Sequence, residues 1–270
     1  MTIKLTDIPR RILIWDVETS PIPTWVWGFG EQVVRHGQVM DSHPHKVQNI
    51  ISLAYRFNDN TPTQVLNWGY EEQDSRALVS AFDEIIKEAD IVIGKNSDRF
   101  DNKRLNMQRW LHRLDAMPDW MEKTDDLEKL IRRDLGSPSY ALDYLDKLNG
   151  GTGKTKMEFS DWIHILEKTP VEGPIAFEKM QMYNKKDVDD TYSLLESVWA
   201  YVRPKHSAQP DKFIMDGTPC CVSCGSQDVF KNGTRRLGAS IYQKWHCNGH
   251  GGYAGRSLIK RLPSPPKLRM

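Results

Sequence analysis

Cysteine is absent from the first 219 residues of this 270-residue chain, and all four cysteines lie between positions 220 and 247. The disulfide framework of a secreted protein is expected to spread further along the sequence and to accompany a secretion signal. The absence of cysteine from most of the chain therefore argues against a disulfide-stabilised fold. Cysteines clustered in one short segment instead favour a metal site.

Long apolar runs are also lacking. No stretch approaches the roughly 20 apolar residues that a transmembrane helix needs, and residues 1–7 lack the apolar centre of a signal peptide. Hydrophobic residues make up 39% of the chain and charged residues 27%, which is ordinary for a globular protein. We therefore expect a cytoplasmic protein that has no membrane partner.

Charge is divided unevenly along the chain. Residues 203–270 contain 12 Lys and Arg against 3 Asp and Glu, a formal charge of +9. Residues 1–202 contain 25 Lys and Arg against 33 Asp and Glu, a formal charge of −8. A basic end on an acidic body favours a polyanionic partner such as nucleic acid. The alternative is a terminal module that is basic for solubility alone.

Hydrophobic patterning predicts an α/β domain followed by a small module. Apolar, β-branched runs predict strands at residues 11–17, 50–57, 63–68 and 91–93. Helical periodicity predicts helices at residues 75–89, 101–114, 125–135, 139–148 and 178–202. This order implies a mixed sheet covered by helices. We expect four segments: a domain at 1–202, a linker at 203–217, a cysteine module at 218–256 and a basic, disordered tail at 257–270.

Four widely separated carboxylates carry the strongest functional signal. Asp16 and Glu18 lie two residues apart on the first predicted strand, so both side chains leave the same face of the sheet. Asp101 stands at the start of a predicted helix, where helix capping is an alternative role. Asp187 lies on the last long helix, one turn after Tyr183. Acids this far apart act together only if the fold brings them together, usually to hold Mg²⁺ or Mn²⁺.

These stretches resemble the motifs of the DEDD superfamily of ribonuclease H-like 3′–5′ exonucleases. Residues 16–21 (Asp-Val-Glu-Thr-Ser-Pro) resemble the first motif and residues 94–101 the second. Tyr183-x-x-x-Asp187 resembles the third motif in its tyrosine subtype. The surrounding sequence is most similar to phage and bacterial exonucleases related to the proofreading domain of B-family DNA polymerases. The resemblance covers most of residues 10–200 and implies a ribonuclease H-like mixed sheet flanked by helices.

The resemblance also implies a mechanism with two Mg²⁺ or Mn²⁺ ions. Asp16 would bridge both ions, and Glu18 and Asp187 would complete the site on the side of the nucleophile. Asp101 would hold the second ion, largely through water. Tyr183 would orient the attacking water, because a phenol with an ordinary pKa of about 10 is a poor base at neutral pH.

We therefore expect a DNA exonuclease that acts on single-stranded 3′ ends, with a polymerase or a replication or repair complex as a partner. A ribonuclease with the same site is an alternative, because the choice of sugar depends on the pocket around the 2′ position. A second alternative is a catalytically silent nucleic-acid-binding or polymerase-accessory protein that keeps the fold. If a phage encodes the chain, the expected compartment is the host cytoplasm.

The cysteine module has the spacing of a zinc site. Cys221-x-x-Cys224 and Cys247-x-x-His250 form two ligand pairs with 22 residues between them. This pattern predicts one tetrahedral Zn²⁺ with three thiolates and one imidazole. Four protein ligands leave no open position, so the zinc would be structural. Two residues with less usual spacing are alternative ligands: Cys220 and His246.

The module resembles the zinc ribbon of transposase-type DNA-binding modules, through residues 221–226 and 231–236. His250 departs from that pattern, in which a fourth cysteine is usual. The resemblance implies a ribbon that tethers the exonuclease to DNA, with Tyr242 and Trp245 available for stacking on bases. A ribbon that docks on protein is the alternative. The cations expected to contact phosphate are Lys231, Arg235, Arg236, Lys244 and Arg256.

Overall fold

The computed structural model describes the greater part of the chain. The described residues are 4–8, 10–24, 26, 47–153, 156–202, 214–215, 218–221, 226–237, 240–249 and 251–261. Two of the predicted zinc ligands, Cys224 and His250, lie outside the described residues.

A mixed five-stranded sheet forms the centre of the larger part of the molecule. Its strands are β1 (Ile12–Thr19), β2 (Ile50–Phe57), β3 (Gln64–Asn67), β4 (Ile91–Gly94) and β5 (Thr124–Asp126), in the order β3-β2-β1-β4-β5. β1 pairs antiparallel with β2 and parallel with β4, and β4 pairs parallel with β5. The carboxyl ends of β1, β4 and β5 therefore meet at one edge of the sheet. β1 is the central strand.

Helices cover both faces of this sheet. They are α1 (Ser75–Lys87), α2 (Asp101–Leu111), α3 (Pro118–Lys123), α4 (Leu127–Asp134), α5 (Leu142–Leu148), α6 (Phe159–Leu166) and α7 (Glu172–Val198). Side chains alternate along β1, so Leu13 and Trp15 join one apolar cluster while Ile12 and Ile14 join the other. Asp16 continues the face of Ile12 and Ile14. Among the described residues, no helix combines the length and the apolarity that crossing a membrane requires.

The mixed sheet with helices confirms the predicted α/β class, whereas several element boundaries differ. α4 begins at Leu127 instead of 125, because residues 124–126 form the short strand β5. α7 begins at Glu172, six residues earlier than predicted, because Pro174 lies in the first helical turn, where its missing N–H costs no hydrogen bond. Two short helices, α3 and α6, were not predicted from the sequence.

The carboxyl-terminal part forms a separate antiparallel sheet. β8 (Val229–Leu237), β9 (Ser240–Cys247) and β10 (Gly252–Arg261) lie in the order β10-β9-β8, and β6 (Ile214–Met215) pairs with β7 (Thr218–Pro219). Strand β10 continues past residue 256, where the sequence analysis ends the module. Residues 257–261 pair with β9 instead of belonging to a disordered tail. The reason is backbone pairing along the edge of β9, which the basic composition of these residues does not reveal.

Candidate metal centre

Three of the four predicted carboxylates converge on one point. Asp16 and Glu18 project from β1 and Asp187 from α7, and one ligand oxygen from each lies within 4.8 Å of the others. Asp187 is buried and the other two are half-buried. Like charges this close repel each other unless a cation lies between them. A set of carboxylate oxygens is the donor set that Mg²⁺ and Mn²⁺ prefer, so these residues fit a divalent cation.

A buried amide positions the Asp16 carboxylate. The side-chain N–H₂ of Asn184 on α7 donates to Asp16 Oδ2 at 2.8 Å, and Asn184 Oδ1 accepts from the Ser52 hydroxyl at 2.8 Å. Asn184 and Ser52 are fully buried, so these hydrogen bonds are shielded from water. The sequence analysis assigned no role to either residue. The available signal was a polar residue three positions before Asp187, on the buried face of α7.

Asp101 approaches the same strand from α2. The helix begins at Asp101 with Phe100 as its N-cap, and Asp101 Oδ1 accepts from the backbone N–H of Val17 at 3.4 Å. The side chain is buried, and burial raises the pKa of Asp101 to about 7. Hydrogen bonds from backbone N–H groups and the charge of Lys95 oppose this rise, and the charge of Asp126 adds to it. Asp101 thus lies beside β1, outside the group of three carboxylates.

Asp126 anchors the loop that leads to Asp101. Its Oδ1 accepts from the backbone N–H of Asn96 at 3.0 Å and of Glu128 at 2.9 Å, and its Oδ2 accepts from the N–H of Asp98 at 3.3 Å. One carboxylate therefore caps α4 and also holds the turn in which Asn96 adopts a positive φ of 61°. The sequence analysis placed this residue in a helix, so its anchoring role was missed.

Three neighbouring acids are easily confused with metal ligands. Each forms an ion pair with a cation in the structure: Asp98 with Lys129, Asp189 with Arg56 and Asp190 with Lys186. None of the three belongs to the group of carboxylates at metal-ligand spacing in the described residues.

A cavity adjoins the carboxylates. It has a volume of about 500 Å³, and both Glu18 and Tyr183 line it. Two cations, one acid and two large apolar side chains form the rest of the wall: Lys147, Lys156, Asp143, Met157 and Trp162. Lys147 forms an ion pair with Asp143 at 2.8 Å. Tyr183 therefore reaches the same space as a predicted metal ligand.

The predicted zinc ligands are only partly described. Cys221 and Cys247 are buried in one small apolar cluster with Ala254. In the described part of the chain they belong to no group of residues at metal-ligand spacing. His246 is an alternative ligand. Its Nδ1 lies 3.2 Å from the side-chain nitrogen of Asn232, and its Nε2 lies 3.0 Å from the carbonyl oxygen of Gly251. Because a carbonyl only accepts, Nε2 carries a proton and both ring nitrogens are engaged within the protein.

The five predicted phosphate contacts lie on the small sheet. Lys231, Arg235 and Arg236 are exposed, whereas Lys244 and Arg256 are half-buried. The ammonium group of Lys231 lies 5.8 Å from the ring centre of Trp245, and the guanidinium of Arg256 lies 4.9 Å from that of Tyr242. Cations therefore lie beside both aromatic residues predicted to stack on bases.

Of the comparisons with known proteins, the one with solved structures found matches. No protein-family model and no curated protein matches this chain. Among solved structures, it is similar to the family B DNA polymerase from the hyperthermophilic archaeon Pyrobaculum calidifontis, at 16% sequence identity and a TM-score of 0.47. The match covers 70% of this chain and 24% of the polymerase, so the chain spans less than two thirds of that protein.

Proposed function

We propose that this chain is a metal-dependent 3′–5′ exonuclease of the ribonuclease H-like fold that hydrolyses phosphodiester bonds at single-stranded 3′ ends of DNA. The observation that carries the proposal is the convergence of Asp16, Glu18 and Asp187 within 4.8 Å. These residues also occupy the first and third positions of the motif order that the sequence resembles. The direction of digestion and the choice of DNA come from that resemblance.

The carboxylates have distinct roles in this proposal. Asp16, Glu18 and Asp187 would hold one divalent cation, with Asp16 shared with a second. Asp101 would hold the second cation largely through water, which agrees with its place outside the group of three. When bound, such ions supply a nucleophilic water at neutral pH and stabilise the leaving oxygen.

Other residues of the chain prepare the site for its substrate. Asn184 holds the Asp16 carboxylate in a fixed orientation through its 2.8 Å hydrogen bond. Tyr183, on the wall of the cavity, would orient the attacking water with its hydroxyl. Lys156 on the same wall would attract a phosphate of the strand end, and Trp162 would contact a base. The acidic body thereby has a local cation where the polyanion enters.

The small sheet would bring the acidic body to its substrate. We propose that it is a ribbon with one structural Zn²⁺ held by Cys221, Cys224, Cys247 and His250. Its contacts to phosphate would come from Lys231, Arg235, Arg236, Lys244 and Arg256. The support is the buried pair of Cys221 and Cys247 in one cluster, together with the formal charge of +9 on residues 203–270.

The test is digestion of 5′-labelled single-stranded DNA, duplex DNA and RNA of one sequence in Mg²⁺ or Mn²⁺, with products resolved by length. Wild-type protein should shorten single-stranded DNA from its 3′ end. Asp16→Ala and Asp187→Ala should each abolish shortening, because each removes a metal ligand. Asp189→Ala is the matched control on the same helix and should retain activity.

Three results would contradict the proposal in different ways. Undiminished activity in both Asp16→Ala and Asp187→Ala would remove the site from the mechanism. Preferred digestion of RNA would favour the ribonuclease alternative. A wild-type protein that binds nucleic acid without cleaving any of the three substrates would favour the silent binding protein.

A further inference from the structure

The two faces of the small sheet carry different side chains. Residues directly opposite each other in paired strands share a face. On one face, Trp245 of β9 lies opposite Lys231 of β8 and packs in the cluster of Cys221 and Cys247. The indole N–H of Trp245 donates to the Ser257 hydroxyl at 3.0 Å. On this cysteine face, the tryptophan belongs to the small core of the module.

The opposite face carries a row of rings across all three strands. Phe230 of β8 lies opposite His246 of β9, and His246 lies opposite Tyr253 of β10. The ring centres of Phe230 and His246 are 5.5 Å apart. Phe230 is 44% exposed and Tyr253 is 47% exposed. This row therefore presents aromatic surface to solvent.

The same face also carries cations and one further ring. Lys244 lies two residues before His246 on β9, roughly 7 Å along the strand, and it pairs with Arg256 of β10. Two residues earlier, Tyr242 lies beneath the Arg256 guanidinium and opposite Arg235. We call this face the open face and define it by Phe230, Arg235, Tyr242, Lys244, His246, Tyr253 and Arg256.

The charge of the strands indicates which class of partner the open face can bind. Strands β8, β9 and β10 contain seven Lys and Arg and no Asp or Glu. An apolar protein partner on the open face would bury Arg235, Lys244 and Arg256 without counter-charges, which is costly. Duplex DNA would satisfy the cations, but its paired and stacked bases would offer no face to the exposed rings. A single strand satisfies both groups, because its bases stack on aromatic side chains while its phosphates contact cations.

We propose that the open face binds single-stranded nucleic acid, with unpaired bases stacked on Phe230, Tyr242 and Tyr253 and phosphates contacted by Lys244 and Arg256. The inference rests on the proposed function, for which it supplies the site that holds the substrate strand. It also changes the predicted contacts. The bases now stack on rings of the open face and not on Trp245. Of the other predicted phosphate contacts, Arg235 lies on the open face, whereas Lys231 and Arg236 lie on the cysteine face.

The experiment uses the full chain with Asp16→Ala, so that binding is measured without cleavage. Fluorescence anisotropy compares a labelled oligothymidine of about 20 nucleotides with an abasic strand of the same length and charge, and with duplex DNA. The double variant Phe230→Leu/Tyr253→Leu should bind oligothymidine at least about tenfold more weakly, since stacking contributes to each bound base. Its affinity for the abasic strand should be unchanged. Trp110→Leu, at an exposed ring on α2, is the matched control.

Charge is tested by the salt dependence of the same binding. Lys244→Ala/Arg256→Ala should lower the slope of log affinity against log salt by about 1.4, because a single strand releases counterions at roughly 0.7 per phosphate contact. Lys231→Ala/Arg236→Ala, on the cysteine face, is the matched control and should lower the slope less. Equal losses from the two pairs would overturn the assignment of the faces.

A second measurement keeps the small sheet unsubstituted, so its result does not depend on whether the sheet variants fold. The Asp16→Ala protein, whose open face is unchanged, is cross-linked to a strand that contains 5-iodouracil, and the attached peptide is identified by mass spectrometry. Attachment at an open-face ring supports the proposal, whereas attachment at Trp245 and at no open-face ring overturns it. Equal wild-type affinity for oligothymidine and the abasic strand, or tighter binding of duplex DNA, would also overturn it. Because binding is measured in an inactive variant, its failure is distinguishable from failure of the wild-type protein to cleave.

Discussion

The two sheets of this protein bring charged side chains together in different ways. At the five-stranded sheet, acids of β1 and of the packed helix α7 meet within 4.8 Å, and the buried Asn184 and Ser52 hold one of these acids in place. In the three-stranded sheet, cations stand on neighbouring strands and are exposed or half-buried. A partly buried site depends on each of its members, because a buried charge without a counter-charge is costly. At a surface site each cation contributes a small part of the binding free energy, so a single substitution there should weaken binding only slightly.

The largest effect should come from the buried charge of Asp101. Its pKa is about 7 against an ordinary 3.8, so the folded state binds this proton more tightly than the unfolded state does. The free energy of unfolding should therefore fall as the pH rises from about 4 to about 7 and stay low above that. Without divalent cations, Asp101→Asn should be more stable than wild type near pH 8, by up to roughly 4 kcal/mol, and equal to it near pH 4.

Urea unfolding at several pH values measures this difference. Asp98→Asn is the control, because Asp98 is ion-paired with Lys129 and its loss should bring no gain at high pH. An Asp101→Asn protein that is less stable than wild type near pH 8 would show that the burial of this carboxylate carries no such cost.

The next largest effect should come from metal binding at the three carboxylates. Mn²⁺ at about 100 times its dissociation constant should raise the free energy of unfolding by about 2.7 kcal/mol. Asp187→Asn should abolish this gain, whereas Asp189→Asn should keep it. Thermal unfolding with and without Mn²⁺ measures the effect. Equal stabilisation of both variants would place the cation elsewhere.

A smaller effect is expected from the residues that position Asp16. Asn184→Ala should lower kcat by about 10- to 100-fold, as loss of a residue that orients a metal ligand typically does. Ser52→Ala should act in the same direction and less strongly, because Ser52 contacts Asn184 and not the ligand. Steady-state digestion at a series of Mn²⁺ concentrations checks both. A purely structural role would lower stability without raising the Mn²⁺ concentration needed for half-maximal activity.

The smallest effect should come from a single cation on the small sheet. Lys244→Ala should lower the salt slope of single-strand binding by about 0.7, with little change in the folding of the sheet. Anisotropy titrations over a range of salt concentrations measure the slope. Loss of nearly all single-strand affinity in Lys244→Ala alone would break the contrast between the two sheets.

Several of these features were predictable from local patterns. The apolar run before Asp16 predicted a buried strand, and β1 is such a strand. The amphipathic helix α1 was found within two residues of its ends. Short elements were missed, because β5 has three residues and α6 has eight, too few for periodicity to stand out. The early start of α7 was missed because Gly173 and Pro174 are typical of breaks, although a first helical turn accepts proline.

The sequence by itself determined three properties that depend on local spacing and composition. Alternation along a strand places Asp16 and Glu18 on one face, and helical spacing places Tyr183 one turn before Asp187. The division of charge between the acidic body and the basic end is likewise a property of composition.

Only the tertiary structure decided which of these residues meet. The packing of α7 on β1 brings Asp187 to Asp16 and seats Asn184 between Asp16 and Ser52. Strand register sends Phe230 and Trp245 to opposite faces of the small sheet. Burial of Asp101 raises its pKa. These outcomes depend on contacts between residues far apart in the chain, and neither spacing nor composition specifies such contacts.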